Sequence, residues 1–408
     1  MPQFLKIILD IALCSARSHS SDKQSNGVTM KKNTLSALAV AAASFASAAH
    51  AQSSVTLYGL IDAGVLYTSN QSGSSNVQQS SGALNGNRWG LRGSEDLGGG
   101  LKTIFVLENG FSISTGAAKQ GSRMFGRQAF IGLSSDQAGA VTLGRQYDSV
   151  VDNLGGLSLN GTQYGGTLAA HPYDNDNLNN SFRVSNSLKY QSVNYGGLKF
   201  NALYGFSNAA GGFANNRAYS VGATYSFGGL KAGAGYLQLN NSGSTINSSG
   251  AVSDDATFSA SRQRTYGAGL NYAFGAANVG FVFTQTQLSN LTAINSSNSG
   301  SSSTTSLGGN SARFSNYELN GRYAFTPAFT VSGAYTYTDA SLEGVNPKFH
   351  QFTLQGDYAL SKRTDLYAEA AYQRVVDGEG KIHADIMGVS ASDSNSQAVA
   401  TVGIRHRF

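Results

Sequence analysis

One cysteine, Cys14, stands in 408 residues. It lies upstream of an export signal, so the exported part carries neither disulfides nor thiolate metal sites. No segment beyond that signal holds 18 uninterrupted apolar residues, which excludes a membrane-crossing helix and leaves strands as the only way to span a bilayer. The chain is poor in Leu, Lys and Glu and has only 4 prolines, a composition that argues against a helical protein. Charged residues make up 12%, and no Lys/Arg cluster argues for nucleic acid. The first 51 residues carry five bases and two acids, leaving 23 bases against 21 acids in the remainder, so bulk charge decides little. No GxSxG elbow, phosphate loop or HExxH occurs. The histidines after residue 51 (His171, His350, His383, His406) are scattered without zinc-ligand spacing. The expectation is a protein that is not an enzyme and holds no cofactor or metal.

What is abundant is glycine, at 50 residues, together with 20 Tyr and 21 Phe. From Met30 the chain reads MKKNTLSALAVAAASFASAAHAQ, two lysines, a small-residue apolar run and Ala-His-Ala, the layout of a secretory signal cleaved after Ala51. Residues 1–29 precede a complete signal and read as an extension from a start codon assigned too early. The expected division is therefore 1–29 extension, 30–51 signal peptide and 52–408 a single exported domain.

Beyond residue 52, strand-like runs alternate with connections that are by turns long and tight. NRWGLRGSEDL turns at Gly98-Gly99-Gly100 into LKTIFVLENGFSI, and NRAYSVGATYSF turns at Gly228-Gly229 into LKAGAGYLQL. Sixteen such runs are counted, with loops expected at 69–86 and 114–123, and at 240–260 and 289–312, the last two read as mobile Ser/Asn/Thr/Gly segments. Period-two alternation supports strands with one face to lipid and one to water: Phe329, Val331, Gly333, Tyr335 and Tyr337 share a face, and Thr330, Ser332, Ala334, Thr336 and Thr338 the other. Aromatics gather near strand ends, as at Tyr204 and Phe206, Tyr225 and Phe227, and Tyr323 and Phe325, the positions of interfacial girdles. The fold class is all-β: a sixteen-stranded antiparallel transmembrane barrel with short turns at one end and long loops at the other.

One connection differs in kind. Residues 147–182 mix Leu154, Leu157, Leu159, Leu168, Tyr173 and Phe182 with Asp148, Asp152, Asp174 and Asp176. Apolar surface of that extent has to pack, and the inside wall of a barrel is the surface available, so the segment is expected to narrow the lumen. Arg88 and Arg92 share one face of their strand, and Arg127 and Arg183 are expected on strands flanking the loop. Facing the four aspartates, these arginines would set a transverse field across the opening; alternatively they pair with the aspartates and pin the loop.

The runs SSVTLYGLIDAGV, GLRGSEDLGGGLK, GAVTLGRQYD, YALSKRTDLYA and VGIRHRF closely resemble the trimeric general porins of the Burkholderia and Bordetella group, over essentially residues 52–408. The resemblance implies three barrels per assembly in the bacterial outer membrane, a third outer loop folded into the pore, and passive diffusion of ions and small hydrophilic solutes. It also implies the partners of such a barrel: outer-membrane lipid and lipopolysaccharide, the barrel-insertion machinery and periplasmic chaperones, but no nucleic acid. Arg88, Arg127 and Arg183 resemble the family's constriction arginines, whose joint presence goes with anion preference. The terminal Phe408, on a strand face with Ala400, Val402 and Ile404, resembles the family's assembly signal. A solute-specific channel and an outer-membrane adhesin or structural protein are the alternatives to a general diffusion pore.

Overall fold

The computed structural model describes residues 54–243, 247–296 and 303–408; the expected extension and signal peptide lie outside them. Seventeen strand segments run in chain order. The first side of the sheet is β1 (Ser54–Gln71), β2 (Ser74–Ser81), β3 (Arg88–Gly98), β4 (Leu101–Gly110), β5 (Gln128–Ser135) and β6 (Gly139–Gln146). Across from it run β7 (Val184–Gln191), β8 (Leu198–Gly205), β9 (Arg217–Phe227), β10 (Leu230–Ser242), β11 (Phe258–Phe274) and β12 (Ala277–Ser296). The circuit ends with β13 (Ser303–Ala324), β14 (Phe329–Ser341), β15 (Lys348–Ala359), β16 (Thr364–Val376) and β17 (Ser396–Arg407).

Every neighbouring pair is antiparallel, and β1 pairs with β17 from Leu60 opposite Arg407 to Thr68 opposite Val399, which closes the sheet. The seventeen segments make sixteen staves, because β2 and β3 share one: β2 lies along the outer half of β1 and β3 along its inner half. Closure leaves no unpaired edge, the condition for a sheet to stand in lipid. Among the described residues no helix is long and apolar enough to cross a membrane, and none is needed.

The alternation read from sequence is the alternation observed. On β14, Ser332, Thr336 and Thr338 are buried on the lumen side. On β9 the outward residues Val221, Tyr225 and Phe227 are exposed, and their counterparts on β11 are Leu270, Tyr272 and Phe274. Tyr266 and Phe274 are outward on the same strand, about 26 Å apart at the rise of an extended chain. Tilt reduces that separation to roughly the height of an outer-membrane apolar band, so the two rows of rings mark its edges.

Three expected loops are shorter than anticipated. The 69–86 region contains β2, turned back by Ser72 and Gly73, both at positive φ. Only the 82–87 segment leaves the wall, held by Asp62, whose carboxylate accepts from the backbone of Leu84 and Asn85. The 289–312 region is largely strand, β12 and β13 continuing past the apolar band with Leu291 and Ile294 buried. In the 240–260 region Ala251, Val252 and Ala256 are buried in the main core cluster. Polar composition hid a few well-spaced apolar residues, and those suffice to fold both segments onto the barrel.

Candidate functional site

Residues 147–182 enter the lumen. A π-helical turn at Val151–Gly155 is followed by short 3-10 turns at Thr167–Ala169 and Pro172–Asp174. Val150, Leu154, Leu157, Leu178 and Phe182 are buried with Leu203, Leu237 and Val282 of the wall. The wall admits them because it is lined there by glycine: Gly222, Gly235 and Gly267 stand side by side across three strands, with Gly233 beside Gly269 one rung below. A Cβ on Gly235 would sit 3.0 Å from the Cα of Val150, and one on Gly269 3.4 Å from Leu157. Side chains there would hold the loop off the wall.

Polar contacts complete the seating. Asp148 is fully buried and accepts from the backbone of Val150 and Val151 and from Asn177. Asp152 is ion-paired with Lys189. Asp174 accepts from the backbone of Asn179 and Ser181. Asp176 faces His171 Nδ1 at 2.6 Å, and the other ring nitrogen faces Glu318 of β13 at 3.0 Å. Burial opposes charge on His171, but the flanking carboxylates outweigh it and raise the imidazole to about 10. Burial pushes Asp148 up to about 6, and burial with the neighbouring Asp176 pushes Asp174 up to about 7. The loop then crosses to the closing staves. There Gln351 donates to the carbonyls of Leu168 and Ala170, and Arg405, held by Asp357 and Asp365, donates to the carbonyl of Gln163.

The arginines occupy a different wall. Arg127 and Arg183 are not strand residues, as the sequence suggested; each is the residue just before a strand, β5 and β7. Arg127 is buried, donates to Glu108 Oε1 at 2.6 Å and to the Tyr147 hydroxyl at 3.1 Å. Tyr58 donates to the other Glu108 oxygen, and exposed Arg92 lies over the Tyr58 ring, 5.3 Å from its centroid. Arg88 is half-buried and donates to the Gly86 carbonyl, while Arg183 is buried over Tyr147 at 5.6 Å. Its guanidinium is pushed down to about 10 by burial and by Arg127 and Arg145 nearby. Among the described residues no ion pair joins any of these four arginines to any of the four loop aspartates.

Neither of the two arrangements expected from sequence is therefore the one present. The aspartates are engaged within the loop, by Lys189 of β7 and by Thr284 of β12; Arg127 pairs with Glu108, with Arg88 nearby, while Arg92 lies over Tyr58, and Arg183 lies over Tyr147 with its backbone N–H on Asp255. Glu108, Tyr58, Tyr147 and Lys119, whose ammonium donates to the Ser81 carbonyl, escaped sequence reasoning. Glu108 carried a signal: it is the lone acid of LKTIFVLENG, in register with Gly90 between Arg88 and Arg92. Phe408 is half-exposed, and its backbone exchanges hydrogen bonds with Gly59 where the barrel closes. Among the described residues no group of His, Cys, Asp and Glu is arranged to hold a metal.

The sequence model of the family described as Gram-negative porin matches residues 37–378. An outer membrane porin of Bordetella pertussis is 33% identical, covering 93% of this chain and all of the relative. Outer membrane porin protein 32 of Delftia acidovorans is 30% identical over 92% of this chain and all of its own length. Among solved structures, an anion-selective porin from Comamonas acidovorans superimposes with a TM-score of 0.67 at 25% identity, covering 87% of this chain and all of the other. An outer membrane protein of Vibrio cholerae in trimer form shares the fold, with a TM-score of 0.61 at 14% identity, covering 87% of this chain and 99% of the other.

Proposed function

We propose, from the premise that the chain belongs to the family of Gram-negative porins and is an outer-membrane channel, that it is a homotrimeric diffusion pore whose weak anion preference is set by Arg88, Arg92, Arg127 and Arg183. The observation that carries this is the imbalance at the site: Arg88, Arg92, Arg127 and Arg183 have one ion pair among them, Arg127 with Glu108, while each loop aspartate is buried or paired elsewhere. Arg88 and Arg92 meet the water of the lumen. Arg127 and Arg183 act from beneath it, through a medium that screens them less than water does. An anion passing the loop meets a net attraction and a cation a net repulsion, with no dehydration and no tight site, as a diffusion pore requires.

The anion-selective porin of Comamonas acidovorans and the trimeric relative of Vibrio cholerae support the selectivity and the assembly, respectively. Export with cleavage after Ala51 supplies the barrel at 52–408, and Phe408 serves as its assembly signal. The relatives are outer membrane porins, channels rather than enzymes. The test is single-channel recording of the refolded 52–408 protein in a planar bilayer under a potassium chloride gradient. Ohmic steps closing in threes with an anion-directed reversal potential are expected. A cation-directed potential would overturn the selectivity, and single-step closure would overturn the trimer.

A further inference from the structure

We propose that the connection between β10 and β11 sets how strongly the pore selects: Asp254 and Asp255 carry negative charge across the barrel to the arginine wall and hold the anion preference down. The proposal rests on the arginine reading of the site and names the groups that oppose it. These two are the only acids in residues 177–317, and neither is answered by a cation of its own neighbourhood. Asp254 is ion-paired with Arg123, in the connection before β5, and Asp255 with Arg145 of β6. In the sheet β6 lies four strands from β10, roughly 19 Å at the spacing of paired strands. The crossing is held without those charges. The Ala251 N–H donates to the Asn216 carbonyl, and the Ala251 carbonyl accepts from Ser185 of β7. Val252 donates to Asn216 Oδ1, and the Asn186 amide donates to the carbonyls of Ser249 and Gly250. Ala251, Val252 and Ala256 are buried in the cluster that also holds Val150, Leu154 and Phe182.

What the two aspartates add to this seat is charge. The Arg123–Asp254 pair is partly exposed, and a pair of that kind contributes little to stability. Asp255 is buried with Arg145. Its Oδ2 accepts from the Arg145 guanidinium and, at 3.3 Å, from the backbone N–H of Arg183, while its Oδ1 and Arg183 Nε are both buried without a partner. Arg145 in turn donates to the carbonyls of Gly126, beside Arg127, and of Arg183. Arg145 is therefore a fifth guanidinium of the wall, and Asp255 is the carboxylate set against it. At the Arg183 guanidinium the charge of Asp255 opposes those of Arg127 and Arg145. Removing a carboxylate there leaves a cation that little water screens, so the potential met by a passing ion becomes more positive.

The experiment is the reversal potential in a planar bilayer under a potassium chloride gradient, for the wild type, D254N, D255N, D254N/D255N and D255E, each shown to be assembled by heat-modifiable migration on a gel. Each lost carboxylate is expected to raise the anion-to-cation permeability ratio, roughly twofold for a unit charge about 10 Å from the ion, and D255E is expected to stay at the wild-type value. The shift is expected to shrink as salt rises from about 0.1 M to about 1 M, where screening shortens the reach of each charge. An assembled D254N/D255N with the wild-type potential would overturn the proposal. A D255E shift as large as that of D255N would overturn it too, because side-chain fit and not charge would then be the cause. Where D255N fails to assemble, D254N carries the test, and an unmoved potential there overturns the proposal. The sign of the wild-type potential tests the arginine reading separately: a cation-preferring wild type would end that reading, while a shift of the variants toward anions would still support this one.

Discussion

Two walls of one lumen are built on opposite principles. Beneath the loop, from β9 to β13, apolar side chains meet glycine and the loop's aspartates find donors. At β3 to β5, Arg88, Arg92 and Arg127 outnumber the one carboxylate, Glu108, that pairs with Arg127, and at the start of β7 Arg183 Nε is buried without a partner. Burying a charge without full compensation costs several kcal/mol in ordinary interiors. The first wall seats the loop on apolar and glycine positions, and the second leaves its charge only partly compensated.

The contrast can be broken from the loop side with the largest effect. Deleting residues 154–167 removes the packed half of the constriction, and single-channel conductance is expected to rise roughly threefold as the narrow section is lost. Unchanged conductance would mean that another segment sets the width. Gly235→Leu attacks the same seat from the wall, costing about 1–3 kcal/mol of overpacking, and should reproduce part of the rise in the same recording. On the arginine side, Arg88→Ala should leave conductance nearly unchanged and shift the reversal potential toward zero. A unit charge about 10 Å from an ion in water contributes about 0.4 kcal/mol, or roughly twofold in occupancy. If only Arg127→Ala acts, and through loss of folded protein on a gel, these arginines are holding Glu108 and Tyr147 in place.

The smallest effect sharpens the comparison through pH. His171 is raised from 6.5 to about 10 in the folded protein, so its clamp is fully present below 6.5 and is lost as pH rises through about 10. Asp148 and Asp174 are raised too, to about 6 and about 7; their contribution is present below the usual 3.8 and gone by about 7. Asp176 is held low by His171 once its burial is overcome, so its contribution runs the other way and is lost in acid. Between pH 7 and 10 only His171 titrates among these, and open-channel noise is expected to grow over that interval. His171→Gln should show the noise already at pH 7 and no further growth. A wild-type trace equally quiet at pH 7 and 10 would remove the histidine from the clamp.

Barrel, strand count and the inward loop were legible because each is written in local periodicity or in composition: alternation on β9 and β14, glycine at the tight turns, apolar residues in 147–182. Residue pairings were not. Whether Arg127 meets Asp148 or Glu108 depends on which staves adjoin and on the depth at which each side chain sits. The offset of β2 from β3 shifts that depth for the first quarter of the barrel. Seating on Gly222, Gly235 and Gly267 was equally hidden, since register brings together glycines from three separate runs. The 289–312 segment misled by average polarity, where among the described residues Leu291, Ile294, Leu307 and Ala312 pack into one cluster.

The seam between β1 and β17 has a temporal meaning. Leu60 pairs with Arg407 and Gly59 with Phe408, so the last residue of the chain bonds almost the first of the barrel. Contacts of such separation form slowly, because the loop they close is nearly the entire polypeptide. Until they form, the growing sheet carries two open edges ready to pair with any other strand. A chain in which β17 has not yet met β1 is thus an unsealed ribbon, and only this last pairing turns it into a closed wall.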